Sequence, residues 1–525
     1  MQAGRASRSL ISLAFASMLA SVAGCWGQDQ IPIGIFESRS LFISPTGTDQ
    51  DPGTRERPLG TFRAAIPRLP PGGTLVLLDG TYSAANSGYL DIRCGANAAN
   101  GEINQPITVR ADHERAALLQ GDASGPPFLM EHCSHWVVEG LRAESGDFQS
   151  APSTKDSGSV FLLAADDHNV VLKRLIASKP NRYRHSHGVR IGDGSSDVLV
   201  EECEVYDFHH NGFEASRTRA VTFRRNYANA RERADLPGGF VTHDPTRGDF
   251  AFFLTESQLS VVENNIAESV QDGFGVEGRD QGIAANMPPP TSDPTDGIRL
   301  FGNVAVAPSR SGFSLGSTCT PPGPCVDRAR LVIGTELTDD VVVGGVTGIA
   351  SAGAIGTRIS QFTAIGAATG VALTTTAANI GLAATSRTDN SLAVGFTTAG
   401  FTSAREQDWG FDHCAAIATG AAPAYLPDDG HVTSRVTTDP ALGDCLVFLP
   451  PASPLRTAGA GGHQVGARVA GRYQDGLLTA TPLWNSTSGA FPCGAQIPTV
   501  NDDPNSSCQG VHRRLHVGTG TCALP

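Results

Sequence analysis

The side chains able to do chemistry crowd into one stretch of the chain, between His185 and Glu277. Arg190, His209, His210, Glu214, His243, Asp244, Asp272 and Glu277 occur there, each close to a short run that begins with glycine. An imidazole titrates near neutral pH, so His210 or His243 can serve as a general base. A guanidinium such as Arg190 can hold a carboxylate through two parallel hydrogen bonds. Glu214 stands at the matching place of the next run, and Asp244, Asp272 and Glu277 offer the oxygen ligands that calcium takes. The set suits acid–base work on an acidic substrate, or recognition of one without chemistry. It also suits a solvated face, with Arg190 and Glu214 a surface ion pair worth under about 1 kcal/mol.

What must position these groups is a repeat. Five runs start with glycine: Gly188–Ile191, Gly212–Ala215, Gly239–Thr242, Gly273–Val276 and Gly312–Leu315. Between them lie Val198–Cys203, Val221–Asn226, Val261–Asn265 and Ile298–Asn303. Short strands recurring at a loose period of a few dozen residues are the mark of a solenoid. Successive coils then stack roughly 4.8 Å apart, so equivalent residues form ladders. Asn226, Asn265 and Asn303 share one slot, which Cys203 fills in the coil before. Strand alternation turns Phe213, Phe240, Phe274 and Phe313 inward. The outward rows become Arg190, Glu214, Val241, Gly275, Ser314 and Gly192, Ser216, His243, Glu277, Gly316. Two insertions, around Asp244–Asp249 and from Arg279 to Asp296, are placed to wall a groove beside them.

The first coils carry an entry signature. Leu41–Asp49 reads as a strand and turn, Arg57–Ile66 as a short helix stopped by Pro67, and Pro71–Tyr82 as turn, strand and a Gly-Thr-Tyr turn. This order of motifs resembles bacterial right-handed parallel β-helix proteins of the pectin-lyase-like superfamily, and the asparagine slot resembles their asparagine ladder. The resemblance implies an all-β, right-handed parallel β-helix with an N-terminal cap helix. It implies a groove for polysaccharide and a lyase-like or epimerase-like reaction, in which a base removes the proton α to a uronate carboxyl. His210, His243, Arg190 and Glu214 would be catalytic, with calcium held by Asp244, Asp272 and Glu277. The chain departs from the hydrolases of the group, since their Asn-Thr-Asp and Gly-His-Gly motifs are missing and Asp166-Asp167 stands alone. No lysine follows Lys179, so a lysine base in the central coils is excluded. A non-enzymatic glycan-binding or adhesion protein is the alternative reading.

The ends and the composition complete the picture. Arg5 and Arg8 precede an apolar stretch from Leu10 to Ala20, and Val22-Ala23-Gly24-Cys25 resembles a bacterial lipobox. The expectation is a signal over residues 1–24, lipidation of Cys25, a linker to residue 40, and anchoring at the bacterial outer membrane or cell surface. The β-helix is expected over residues 41–455 and an irregular, disulfide-bearing cap or tail over 456–525. A net charge of -13 argues against nucleic acid as a partner, and a monomer is expected. Beyond Cys25 an even ten of the 11 cysteines remain. Proximity suggests Cys319 with Cys325, Cys414 with Cys445, and Cys493 with Cys508.

Overall fold

The computed structural model describes residues 39–122, 124–145, 158–180, 186–230, 249–278, 294–316, 331–374, 386–403, 409–426, 432–485, 489–491, 515–517 and 522. Three long parallel sheets span residues 40–433, and successive coils contribute strands to them in turn. The first sheet has 14 strands, from Ser40–Ile43 to Val432–Thr433. The second has 12, from Gly80–Ser83 to Ala415–Ala418, and the third has 12, from Leu90–Arg93 to Tyr425–Leu426. The fold is an all-β parallel β-helix.

Inside, like side chains stack on like. Phe213, Phe252, Phe274 and Phe313 form a column with ring centroids 4.8, 5.0 and 4.9 Å apart. Offset ring pairs of this kind add about 0.5–1.5 kcal/mol each beyond their burial. The column corrects one expectation. The strand after Asn211–Ser216 is Phe250–Thr255, with Phe213 beside Phe252 and Glu214 beside Phe253. Phe252 therefore takes the place expected of Phe240, and the run Gly239–Thr242 lies outside the described residues. The cause is length: the connection entering this rung is long enough to hold a decoy run that copies the glycine-led pattern.

The glycines that lead the other runs have a packing reason. A β-carbon at Gly188 would lie 2.1 Å from Cγ1 of Val205, and one at Gly312 would lie 2.1 Å from Cγ2 of Val342. Both sit where the second sheet turns into the third, so only a residue without a side chain lets the corner close.

The opposite corner is held by the asparagine ladder. Backbone N and side-chain Nδ2 of Asn226 both donate to Oδ1 of Asn265, at 2.9 and 3.0 Å. Asn265 repeats this toward Asn303 at 3.0 Å twice. Each Nδ2 also donates back to a carbonyl of the preceding rung: Val200, Phe223 and Val262. Cys203 fills the expected slot, its N donating to Oδ1 of Asn226 at 2.9 Å. The far end of the ladder is Asp340, whose Oδ1 accepts from N and Nδ2 of Asn303.

The first coil is closed by the helix Phe62–Ala65, and Pro67 turns its continuation into a single 3-10 turn, Ile66–Arg68. Thr61 caps it by accepting from the N of Ala64 at 3.2 Å, and is itself held by Asp49. Phe62, Ala65 and Ile66 bury into the core beneath, covering strand groups that would otherwise invite edge pairing.

Past the last rung the chain folds back along the side. Val447, Phe448, Val469, Leu483 and Trp484 pack on Tyr206, Tyr227, Ile266 and Val304, on the outer side of the second sheet. Arg468 pairs with Asp339 at 2.8 Å, fastening this segment to the helix. Disulfides join Cys94 to Cys133 and Cys445 to Cys522. The expected pair Cys414–Cys445 does not form. Cys414 is fully buried at an inner corner, near the carbonyls of Thr388 and Asp412, and is an unbridged thiol like Cys203. Cys319, Cys325, Cys493 and Cys508 lie outside the described residues.

Candidate functional site

The four glycine-led strands among the described residues, at Gly188, Gly212, Gly273 and Gly312, belong to the third sheet, so their outward residues share one face. The register places Arg190 beside Glu214, Glu214 beside Phe253, Phe253 beside Gly275, and Gly275 beside Ser314. A second row runs Ser216, Thr255, Glu277, Gly316. Val241 and His243, expected in these rows, are replaced there by Phe253 and Thr255.

Glu214 is the centre of a buried charged cluster. Its Oε2 lies 3.0 Å from Nδ1 of His187 and accepts from Nδ2 of Asn211 at 2.7 Å. Its Oε1 accepts from Nε of Arg190 at 3.3 Å. The His187 and His210 rings meet edge to face, 5.1 Å between centroids. Burial alone would push the Glu214 carboxyl up. The charges of His187, Arg190 and His210 and the Asn211 hydrogen bond outweigh it and bring the carboxyl down to about 2. Glu214 therefore stays ionised at neutral pH and anchors the bases around it. His210 is less enclosed, its Nε2 3.8 Å from Oδ2 of Asp249, which Gln271 also contacts.

The sequence-expected residues thus divide. Arg190, His210 and Glu214 come together. Asp272 and Glu277 do not: they begin and end one strand, Asp272–Glu277, a separation of roughly 16 Å in extended chain. Asp272 is buried, accepts from the N of Ser311 at 2.9 Å and pairs with Arg310; burial raises its carboxyl despite that arginine. His243, Asp244 and Cys25 lie outside the described residues. Two members of the cluster were missed as site residues, His187 and Asn211. Each directly precedes a glycine that leads a third-sheet strand, and that shared position was the available signal.

Among the described residues, His187, His210 and Glu214 bring one ligand atom each within 4.8 Å of one another, as do Asp79, Asp112 and His113. Two imidazoles and a carboxylate suit a first-row transition metal, whereas calcium takes oxygen ligands. In the second group Arg55 already pairs with Asp112. Asp272 and Glu277, at the two ends of their strand, do not fit one shared calcium ion.

No protein-family model matches the chain. A stretch of 140 residues is 26% identical to an uncharacterized protein, YwoF, of Bacillus subtilis strain 168, covering 25% of this chain and 28% of that protein. A stretch of 266 residues is 24% identical to a pectate disaccharide-lyase of Dickeya chrysanthemi, covering 48% of this chain and 30% of that one. The matches span less than a third of either relative's length. Among solved structures, a rhamnogalacturonan lyase aligns over 75% of this chain and 87% of its own, with a TM-score of 0.43 and 13% identity.

Proposed function

We propose that the protein acts on a uronate-containing polysaccharide as a lyase or epimerase, at the outer face of the third sheet. The observation that carries this reading is the cluster in which His187, Arg190, His210 and Asn211 surround an ionised Glu214. The sequence similarity to a pectate disaccharide-lyase, partial as it is, supports the same class.

In this reading His210, the less enclosed imidazole, takes the proton from the carbon α to the uronate carboxyl. Glu214 is not the base, because its carboxyl is held ionised with a proton affinity too low to keep a proton at neutral pH. It is a positioning residue that fixes His187 and Arg190. The Arg190 guanidinium supplies a fixed positive charge near the developing carbanion. In elimination the C–H electrons form the C4–C5 double bond, the C4–O4 bond breaks, and the departing oxygen is protonated. In epimerisation a proton returns to the same carbon from the opposite face. No step is routed through calcium. We propose also that the chain is exported and held at a membrane by lipid on Cys25.

The test is ultraviolet absorbance of unsaturated product on polygalacturonate, alginate and chondroitin sulfate, with deuterium uptake from heavy water reporting epimerisation. His210→Ala is expected to lower either rate by about 10²- to 10⁴-fold while polymer binding persists. Binding with neither elimination nor exchange on any of the three would make the protein a glycan-binding module instead.

A further inference from the structure

One rung beyond the charged cluster, the same outer face changes character. Phe250 sits beside Asn211 and Phe253 beside Glu214 in the sheet register. Both rings are half-buried on the outer face, whereas Ala251, Phe252 and Leu254 of the same strand are buried in the core. The two rings stack on each other, 4.6 Å between centroids at 26°. They lie across Gly275 of the following rung: a β-carbon there would stand 2.5 Å from Cδ1 of Phe250 and 2.9 Å from Cδ2 of Phe253. Gly275 thus has a second use beyond the β-helix itself. Its missing side chain leaves the space that the edges of the stacked pair occupy.

A half-exposed aromatic pair beside a charged cluster offers a small apolar contact surface. The surroundings indicate for what. Ser216, Thr255 and Glu277 form a polar row beyond Phe253, toward the C-terminal end of the strands, whereas Asp272 and Ser311 continue Phe250's own row on the next two rungs and are buried. Beyond the pair the central row becomes small: Gly275, Ser314, Ala350 and Ala372. The outward part of a stacked aromatic pair beside a polar row suits a pyranose ring, with C–H groups on its face and hydroxyls around its rim. A membrane or a second protein would ask for a broader apolar patch than two rings.

We propose that Phe250 and Phe253 form a sugar-stacking subsite, one rung from the His187–Arg190–His210–Glu214 cluster, that holds the neighbouring pyranose unit of the polysaccharide. The small-residue row is the track along which the rest of the polymer lies. This deepens the proposed function and rests on it for the substrate class, but its test reads binding alone.

The probes are oligogalacturonate, oligomannuronate and a chondroitin oligosaccharide, titrated calorimetrically into the full chain carrying His210→Ala, so that turnover does not intrude. With the probe that binds, Phe253→Leu is expected to weaken affinity about five- to tenfold, the scale of one aromatic stacking contact, and Phe253→Trp to restore it. Gly275→Ala, which leaves both rings in the sequence but displaces them, is expected to weaken binding similarly. Unfolding midpoints within a degree or so of the parent separate loss of the platform from loss of fold. Unchanged affinity in both Phe253→Leu and Gly275→Ala overturns the subsite, even if the histidine-dependent reaction is found. Ring-dependent binding without any reaction leaves the subsite standing and removes the enzyme. Failure of all three probes to bind overturns both.

Discussion

Replacing Asp340 with asparagine should make the protein more stable. Asp340 is the last member of the asparagine ladder and is fully buried. Its Oδ1 behaves as an amide oxygen would, accepting from N and Nδ2 of Asn303 at 2.8 and 2.9 Å. The other end of the side chain differs. In the three preceding rungs the amide nitrogen there donates to Val200, Phe223 or Val262, and the register carries that line of carbonyls on to Leu300. An ionised carboxylate would set an oxygen against that line, and among the described residues Oδ2 has no hydrogen-bond partner. Burial accordingly drives the Asp340 carboxyl well above its usual range. Asp340→Asn supplies an N–H for the carbonyl and removes the ionisable group. The expected gain at pH 7 is about 1–3 kcal/mol, the range for satisfying a buried polar group.

The pH dependence has a definite sign. A carboxyl whose folded value lies above its unfolded value, about 3.9, favours folding below that unfolded value. The contribution is lost as pH rises through the folded value, because the unfolded chain can then release a proton that the folded chain retains. The difference between Asp340→Asn and the parent should therefore be small near pH 4, widen as pH rises, and level off above the folded value. Urea unfolding of both proteins between pH 4 and 8 measures it. A variant less stable than the parent at pH 7, or a difference that does not change with pH, would refute the account of the ladder's end.

Two further outcomes concern the middle of the ladder and the N-terminal segment. Asn265→Ala, in the middle of the ladder, removes the acceptor of two Asn226 donors and both side-chain donations of its own; unfolding should show a loss of about 2–4 kcal/mol, and a loss under half of the lower figure would mean the corner is held by packing alone. Cys25→Ser should abolish incorporation of radiolabelled palmitate during expression in a bacterial host and release the protein from the membrane fraction; continued labelling would end the lipid-anchor proposal.

Much of the architecture was legible because a solenoid repeats its solutions locally. Asn226, Asn265 and Asn303 each end a run of the same shape, and the structure joins them by paired hydrogen bonds. Thr61 through Ile66, with Pro67, marked a short cap in the same way. The candidate site was legible only in part. Arg190 and Glu214 were aligned because their rungs are consecutive and closely spaced in sequence. The partner row failed at the next rung, where Phe250–Thr255 stands instead of Gly239–Thr242. A strand pattern says that a run can form a rung, not which of two similar runs within a long connection does so.

Sequence by itself determined the all-β repeat, the inward phenylalanines at 213, 274 and 313, and the leading glycines, because burial in each rung is enforced by residues a few positions apart. Tertiary structure alone decided what meets across rungs and across the outside. It put His187 and Asn211 on Glu214, laid Phe250 and Phe253 over Gly275, left Cys414 inside a corner while Cys445 joined Cys522, and returned the C-terminal segment to the second sheet. Those contacts join residues separated by connections of unequal length, and the order in which such connections close is set by packing in three dimensions, which spacing along the chain does not encode.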